Sequence, residues 1–226
     1  MHDIRAGLMR VRERIAAAAE RAGRRADDVL LIAVSKTVEA ERIREAIDAG
    51  VAALGENRVQ EAKTKVRALG HPVPWHLIGH LQTNKVKDAL ALFDVIHSID
   101  RLEVAHEIER RAAGAGRPID VLLEVNVANE SSKSGFVPDA VGGALDAIGG
   151  MAHLKVRGLM AIPPIVARAE DSRPAFKALS ALAQRHGLGE LSMGMSGDFE
   201  VAVEEGATMV RVGTAIFGPR PAKAQG

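Results

Sequence analysis

The chain contains no cysteine and no tyrosine, and it is poor in aromatic residues. Its 226 residues include only one tryptophan and five phenylalanines. Without cysteine, the chain can form neither disulfides nor thiolate metal sites, and it has no thiol nucleophile. Without tyrosine, it cannot use any mechanism that requires a phenol as acid or base. Catalytic mechanisms that use a thiol or a phenol are therefore excluded by composition alone.

Charge and hydropathy limit the binding partners and the cellular location that we expect for this protein. Thirty basic and 29 acidic residues give a net charge of +1, which does not favour nucleic acid or a membrane surface as a partner. The segment from Asp3 to Arg25 is charged and amphipathic, unlike a signal peptide or a membrane span. We therefore expect a cytoplasmic protein.

Extended and helical patterns alternate after an opening helix at about Asp3–Ala22. Strands that alternate with helices predict parallel pairing through right-handed crossovers. Eight such units favour a single (β/α)8 TIM-type barrel with an extra N-terminal helix, an α/β fold forming one domain over residues 1–226. The predicted strands are Leu30–Ser35, Ala53–Gly55, Trp75–Gly79, Val95–Ser98, Asp120–Asn126, Val156–Ala161, Leu191–Met195 and Met209–Phe217.

A lysine extends the first strand. Ile32, Val34 and Lys36 share one face of that strand because side chains alternate along it. A lysine on an apolar face must be paired, reach water or lose its charge. Desolvation favours the neutral amine, which condenses with aldehydes. The alternative is a lysine at a strand end that extends into solvent.

The last two strands end in groups that suit a phosphate monoester. Active sites of such barrels lie at the C-terminal strand ends, and phosphate sites often use the loops after strands seven and eight. Ser196 offers a hydroxyl, Gly213 allows close approach to the backbone, and Thr214 adds an amide and a hydroxyl. Arg211 shares a face with Gly213. The alternatives are a helix cap at Ser196 and a salt bridge from Arg211 to a carboxylate.

A lysine able to form an imine, a phosphate site and an inward arginine together favour pyridoxal 5'-phosphate (PLP) as the cofactor. In this interpretation the PLP aldehyde bonds to Lys36 and the phosphate lies at Ser196, Gly213 and Thr214. Arg211 faces the ring nitrogen or the phosphate. Asn57, after the second strand, either approaches the ring or caps a helix.

The chain resembles the YggS/PROSC family of pyridoxal phosphate homeostasis proteins over nearly its whole length. Matching segments occur in the expected order along the sequence. They are 33–37 (AVSKT), 55–61 (GENRVQE), 75–85 (WHLIGHLQTNK), 97–100 (HSID), 132–135 (SKSG), 158–163 (GLMAIP), 192–196 (SMGMS) and 210–218 (VRVGTAIFG). The region between Pro164 and Ala175 is shorter than in many members of the family.

The resemblance implies a barrel similar to the cofactor domain of bacterial alanine racemase, without its second domain. It also implies Lys36 as the imine lysine, Arg211 at the pyridine nitrogen, and phosphate contacts from Ser196, Gly213 and Thr214. The implied function is to carry or buffer PLP through a reversible Schiff base, without known catalytic turnover. We expect a monomer that passes PLP to recipient apoenzymes.

Two enzymatic alternatives stay open. The first is a PLP-dependent racemase or lyase with an unconventional second base, since racemases of this type use a tyrosine and the related decarboxylases a cysteine. The second is an aldolase that forms a Schiff base without a cofactor. His76 and His80 have helical metal-pair spacing but lie in a strand and turn, so we predict no metal site. Lys133 is either a second amine for the aldehyde or a solvated loop lysine.

Overall fold

Eight parallel strands form a closed barrel in which each strand pairs with its neighbours in sequence, and the eighth strand pairs with the first. The structure, a computed structural model, describes residues 3–115, 118–130, 133–164 and 166–219. Ser132 of the 132–135 motif and both ends of the predicted domain lie outside these ranges. The predicted TIM-type barrel is confirmed. The strands are β1 (Leu30–Val34), β2 (Ala53–Glu56), β3 (Trp75–Leu77), β4 (Val95–Ile99), β5 (Ile119–Glu124), β6 (Leu154–Met160), β7 (Glu190–Met195) and β8 (Met209–Val212).

Helices surround the barrel and follow its strands. The first, α1, begins at Ile4, where the Asp3 side chain accepts a hydrogen bond from the Ala6 amide at 3.0 Å and so caps the helix. In the described ranges, no helix combines the length and hydropathy needed to cross a membrane. The helices are α1 (Ile4–Arg21), α2 (Ala40–Asp48), α3 (Val59–Leu69), α4 (Val86–Leu92), α5 (Leu102–Ala115), α6 (Val141–Ile148), α7 (Arg173–Arg185), α8 (Phe199–Glu204) and α9 (Thr214–Phe217). Short 3-10 turns cover Ala26–Asp28, Thr83–Lys85, Pro138–Ala140 and Ala169–Ser172.

The predicted N-terminal helix is confirmed, and it packs on the outside of the barrel against α8 and α9. Its buried residues recur at helical spacing, with Ile4, Leu8, Val11 and Ile15 on the inner side. On its polar side, Arg14 and Arg21 form ion pairs with carboxylates of α8. The helix therefore braces the elements that follow β7 and β8.

The interior of the barrel is divided into an apolar layer and a polar layer. The apolar layer is a separate buried cluster with side chains from five strands, and a residue of a sixth strand packs against it. Two residues further along several of these strands, polar side chains face inward, because alternate residues share a face. The apolar layer comprises Ile32, Ala53, Leu122, Met160 and Met209, with Leu30 and Val95 packed against it.

One predicted strand is wrong in its second half. The pattern predicted strand from Met209 to Phe217, whereas β8 ends at Val212 and Thr214–Phe217 forms α9. Ile216 and Phe217 are buried, so they gave the apolar pattern of a buried strand although they pack as a helical turn. The consequence for the site is that Gly213 and Thr214 lie at a strand-to-helix junction.

Candidate functional site

A cavity of about 350 Å³ opens where the barrel strands end. The six residues that the sequence assigned to PLP all line it: Lys36, Asn57, Ser196, Arg211, Gly213 and Thr214. Apolar side chains, among them Val34, Ile78 and Ile162, form part of the remaining wall. No described residue in the lining carries a carboxylate. The cavity therefore combines two cationic side chains with hydroxyl groups and suits a small anion.

Lys36 follows β1 in a tight turn and is half-buried. The turn is closed by the Val38 amide, which donates to the Ser35 carbonyl at 2.9 Å. Val34, two residues before Lys36, also lines the cavity. The strand thus delivers Lys36 to the cavity wall, as its alternation predicted.

Ser196 lies beside the start of α9 and does not cap a helix. The N-cap of α8 is Asp198, whose carboxylate accepts from the Met195 amide at 2.7 Å. The Ser196 hydroxyl oxygen instead accepts from the Gly213 amide at 3.3 Å. The helix-cap alternative for Ser196 is therefore wrong, and the β7 and β8 ends meet at this hydrogen bond.

Arg211 lies inside the barrel with 4% of its surface exposed. Its Nη1 donates to the Ser192 carbonyl at 2.7 Å and the Ser192 hydroxyl at 2.6 Å, and its Nη2 donates to the Ala161 carbonyl at 2.9 Å. No carboxylate in the described residues pairs with it, so the salt-bridge alternative is wrong. Burial lowers the pKa of Arg211 to about 10 against the attraction of Glu124 and Asp198, which leaves the guanidinium charged at neutral pH.

A chain of buried polar groups extends from Arg211 across the barrel. His97 Nδ1 lies 2.9 Å from the Ser192 hydroxyl, and His97 Nε2 lies 2.8 Å from His76 Nδ1. Burial lowers the pKa of His76 to about 4, and burial, His76 and Arg211 hold the pKa of His97 well below its ordinary value. Both imidazoles are neutral at pH 7, so this layer adds no second cation beside Arg211.

Glu124 is a buried carboxylate at the end of β5. Burial and the nearby Asp100 raise its pKa to about 7, although Arg211 opposes the rise. Glu124, His97 and Ser192 were not predicted from the sequence as part of the site. The available signal was weak, since each strand also carries a second polar residue, Asp120 in β5, Ser98 in β4 and Glu190 in β7, and the sequence alone does not show which of the two faces the barrel interior.

Asn57 lines the cavity but does not cap α3, whose N-cap is Arg58. The cap alternative is therefore wrong. The Asn57 Oδ1 atom is buried and has no hydrogen-bond partner in the described part of the chain. A buried polar atom without a partner costs free energy. A ligand in the cavity could supply the missing contact.

His76 and His80, which have metal-pair spacing in the sequence, have different hydrogen-bond partners in the structure. His76 contacts His97 inside the barrel, whereas His80 lies outside it with Nδ1 2.8 Å from Asp100. The described residues contain no group of three or more His, Asp or Glu side chains that could hold a metal ion. Lys133 does not line the cavity, and its Nζ lies 2.9 Å from a Glu130 carboxylate oxygen.

Comparisons with known protein families and with individual sequences agree on the family of this chain. The family described as "Alanine racemase, N-terminal domain" matches residues 8–221. The pyridoxal phosphate homeostasis protein of Aquifex aeolicus is 48% identical, over 94% of this chain and 96% of that protein. The protein of the same name from Escherichia coli K12 is 42% identical, over 97% and 98%. This chain belongs to the pyridoxal phosphate homeostasis protein family.

Solved structures agree with this membership. PipY of Synechococcus elongatus, crystallised with PLP bound, matches with a TM-score of 0.80 and 38% identity, over 90% of this chain and all of that chain. Alanine racemase of Clostridium difficile matches with a TM-score of 0.74 over 98% of this chain and 58% of the racemase. At 16% identity, the racemase shows the shared barrel fold alone. The racemase-like barrel expected for the family is confirmed.

Proposed function

We propose that this chain binds PLP in the cavity and carries or buffers it, with Lys36 as the reversible attachment point. The observation that carries the proposal is that Lys36 shares one small cavity with Ser196, Gly213 and Thr214. Relatives named for pyridoxal phosphate homeostasis and a PLP-bound neighbour support the same ligand. We further propose that residues 1–226 act as one PLP-binding domain.

The end of the cavity formed by β7 and β8 suits the phosphate. Ser196 and Thr214 supply hydroxyl groups, and Gly213 leaves its backbone open to the ligand. A Cβ atom at Gly213 would lie 3.1 Å from the Val34 carbonyl oxygen and 3.4 Å from the Val34 Cβ. Glycine therefore lets β8 and β1 approach each other beside the cavity.

Arg211 has hydrogen-bond donors left for a ligand. Its bonds to Ser192 and Ala161 use three of the five guanidinium N–H groups. The other two have no acceptor among the described residues. Because Arg211 stays charged, it disfavours a proton on a ring nitrogen placed against it. This role is the one that the family resemblance implies.

When bound, PLP supplies an aldehyde that condenses reversibly with a primary amine. Lys36 is the lysine of the described cavity lining and holds that amine at the strand end. Because this condensation is reversible, release of PLP to another amine would return Lys36 to its primary amine form. Such exchange suits release of the cofactor to recipient apoenzymes, which we propose as partners of a monomeric, cytoplasmic protein.

A carrier fits the cavity better than a racemase. Racemisation needs a base on each face of the substrate carbon. Apart from Lys36, the described lining holds no histidine, carboxylate or other side chain that is a base near neutral pH. His76 and His97 lie inside the barrel and are hydrogen-bonded to each other. The relatives are likewise named as homeostasis proteins rather than as enzymes.

Titration of the purified protein with PLP tests this proposal. We expect one PLP per chain with a visible absorbance band, loss of that band in Lys36→Ala, and activation of an added apoenzyme of a PLP-dependent transaminase. A loaded protein that keeps its PLP in the presence of the apoenzyme would contradict the carrier role. Robust turnover of D- or L-amino acids would favour the racemase or lyase, and a protein that binds no PLP would favour the cofactor-free aldolase.

A further inference from the structure

The backbone directly after Lys36 adopts an unusual conformation. Lys36 and Thr37 form the centre of the turn that the Val38 amide closes onto Ser35. Thr37 has φ = +63°, in the left-handed region that a β-branched residue rarely adopts. Such a conformation persists only where the surroundings hold it in place. The structure therefore needs a restraint on this turn.

A buried ion cluster lies directly behind the turn. We call Glu56, Glu61 and Lys65 the Lys65 cluster. Lys65 Nζ donates to Glu56 Oε1 at 2.6 Å and to Glu61 Oε1 at 2.7 Å. The side chain of Lys65 is 9% exposed, that of Glu56 is fully buried and that of Glu61 is 27% exposed. Such an arrangement is costly to bury unless each charge is matched by a specific contact.

The cluster contacts both residues that flank Lys36. Its ammonium donates a third hydrogen bond, at 2.6 Å, to the Ser35 carbonyl. The Glu61 carboxylate accepts from the Thr37 amide at 2.5 Å. The Ser35 hydroxyl donates to Glu56 Oε1 at 2.7 Å. Lys36 is thus held on its N-terminal side by Lys65 and Glu56, and on its C-terminal side by Glu61.

We propose that Glu61 and Lys65 are positioning residues for Lys36, holding its backbone so that the amine meets the aldehyde of PLP in the cavity. Glu61 and Lys65 are four residues apart on α3, so one rigid helix presents both groups to the turn. The inference rests on the proposed function, because it assigns a role within the same site. It predicts that loss of the Glu61 contact weakens covalent attachment and spares noncovalent binding.

The variants Glu61→Ala and Glu61→Asp test the contact with Thr37. Aspartate keeps a negative charge for Lys65 but is one methylene shorter, so it protects folding while losing reach to the Thr37 amide. Glu61→Gln keeps an oxygen acceptor and should restore binding above the alanine variant. The matched control is Glu41→Ala, an exposed acidic residue in the first turn of α2, as Glu61 is in the first turn of α3.

Titration with two ligands distinguishes a positioning role of Glu61 from a general loss of structure in its variants. PLP and pyridoxine 5'-phosphate, which has no aldehyde, are both titrated by calorimetry, and the visible absorbance band reports covalent attachment of PLP wherever Lys36 is present. We expect Glu61→Ala and Glu61→Asp to bind PLP about tenfold more weakly, with pyridoxine 5'-phosphate bound as in the parent protein. In a Lys36→Ala background, the Glu61 substitutions should leave PLP affinity unchanged. Glu41→Ala should match the parent throughout.

The outcomes distinguish this inference from the proposed function. If the parent protein forms the Lys36 adduct and the Glu61 variants bind PLP equally well, the positioning role is wrong. Equal weakening of both ligands, or weakening that persists without Lys36, also contradicts it, because the effect would then be structural. If the parent protein itself forms no adduct at Lys36, the proposed function fails instead.

Discussion

At the scale of single residues, burial inside the barrel pushes a carboxylate and an imidazole toward their neutral forms. The pKa of Glu124 rises to about 7 and that of His76 falls to about 4, in each case chiefly because of burial. Arg211, in the same polar layer, keeps its charge at neutral pH. Each pKa shift makes the free energy of unfolding depend on pH, because the folded and unfolded states then bind different numbers of protons.

Glu124 should reduce the stability of the fold as the pH rises. Its ordinary pKa is 4.5 and its folded pKa is about 7. The free-energy penalty for burying the charged carboxylate is therefore absent below pH 4.5 and complete above pH 7. The free energy of unfolding of the parent relative to Glu124→Gln should fall by up to about 3 kcal/mol across that window. Urea unfolding at several pH values measures it, with Glu103→Gln, an exposed residue, as control. If the difference in unfolding free energy between the parent and Glu124→Gln does not change with pH, the raised pKa of Glu124 is wrong.

His76 should have the opposite dependence. It is neutral in both states above its ordinary pKa of 6.5, and the folded state resists protonation until about pH 4. Relative to His76→Gln, the parent should therefore lose up to about 3 kcal/mol of unfolding free energy as the pH falls from 6.5 to 4. His106→Gln, an exposed histidine, serves as control. A parent protein that gains stability over this range relative to His76→Gln would show that the imidazole is charged in the fold.

Sequence could predict the residues at strand ends more readily than those inside the barrel. Lys36, Ser196 and Gly213 stand beside strand patterns whose ends must meet in a barrel. The Lys65 cluster depends instead on α3 packing behind the turn after β1. The four-residue spacing of Glu61 and Lys65 is visible in the sequence, but it is common on solvated helix faces. Only the fold shows that this pair is largely buried.

At the scale of elements, the junctions between strands and helices were the least predictable part. The run from Met209 to Phe217 has the apolar character of a buried strand, yet the chain turns at Gly213 and continues as α9. Strand and helix patterns cannot be separated over so few apolar residues. Alternation predicted that Arg211 and Gly213 share a face of β8, and the structure shows that Arg211 on this face is buried inside the barrel.

Gly194 in β7 sets how closely α8 packs against the sheet. Its φ is +88°, and a Cβ there would lie 2.5 Å from Ala202 Cβ and 2.9 Å from Phe199 Cα. Gly194→Ala should therefore lower the free energy of unfolding by about 2–4 kcal/mol and weaken PLP binding by moving the loop that carries Ser196. Chemical denaturation and PLP titration measure both effects.

The control for this element is Gly189→Ala, just before β7. Gly189 does not adopt a positive φ, and a Cβ there would have no neighbouring heavy atom within 4 Å. We expect a change within about 0.5 kcal/mol. Equal losses in the two variants would show that close packing of α8 on β7 does not limit stability.

At the scale of the whole molecule, the barrel follows from the repeated alternation of strands and helices along the chain. Eight alternations of strand and helix leave few other ways to bury the apolar faces of parallel strands, and the predicted topology was confirmed. The closed barrel also explains why residues from 36 to 214 line one cavity. The polar layer inside the barrel could not be predicted, since it depends on the registers between β3, β4, β7 and β8.

Borohydride reduction of the PLP-loaded protein, followed by peptide mapping, shows which amine of the protein holds PLP. Reduction makes the bond between PLP and an amine permanent, so the labelled residue identifies the attachment point. We expect a single major adduct on the peptide containing Lys36, and its absence in Lys36→Ala. A major adduct on another lysine, such as Lys133, or PLP that binds without any reducible bond, would contradict it.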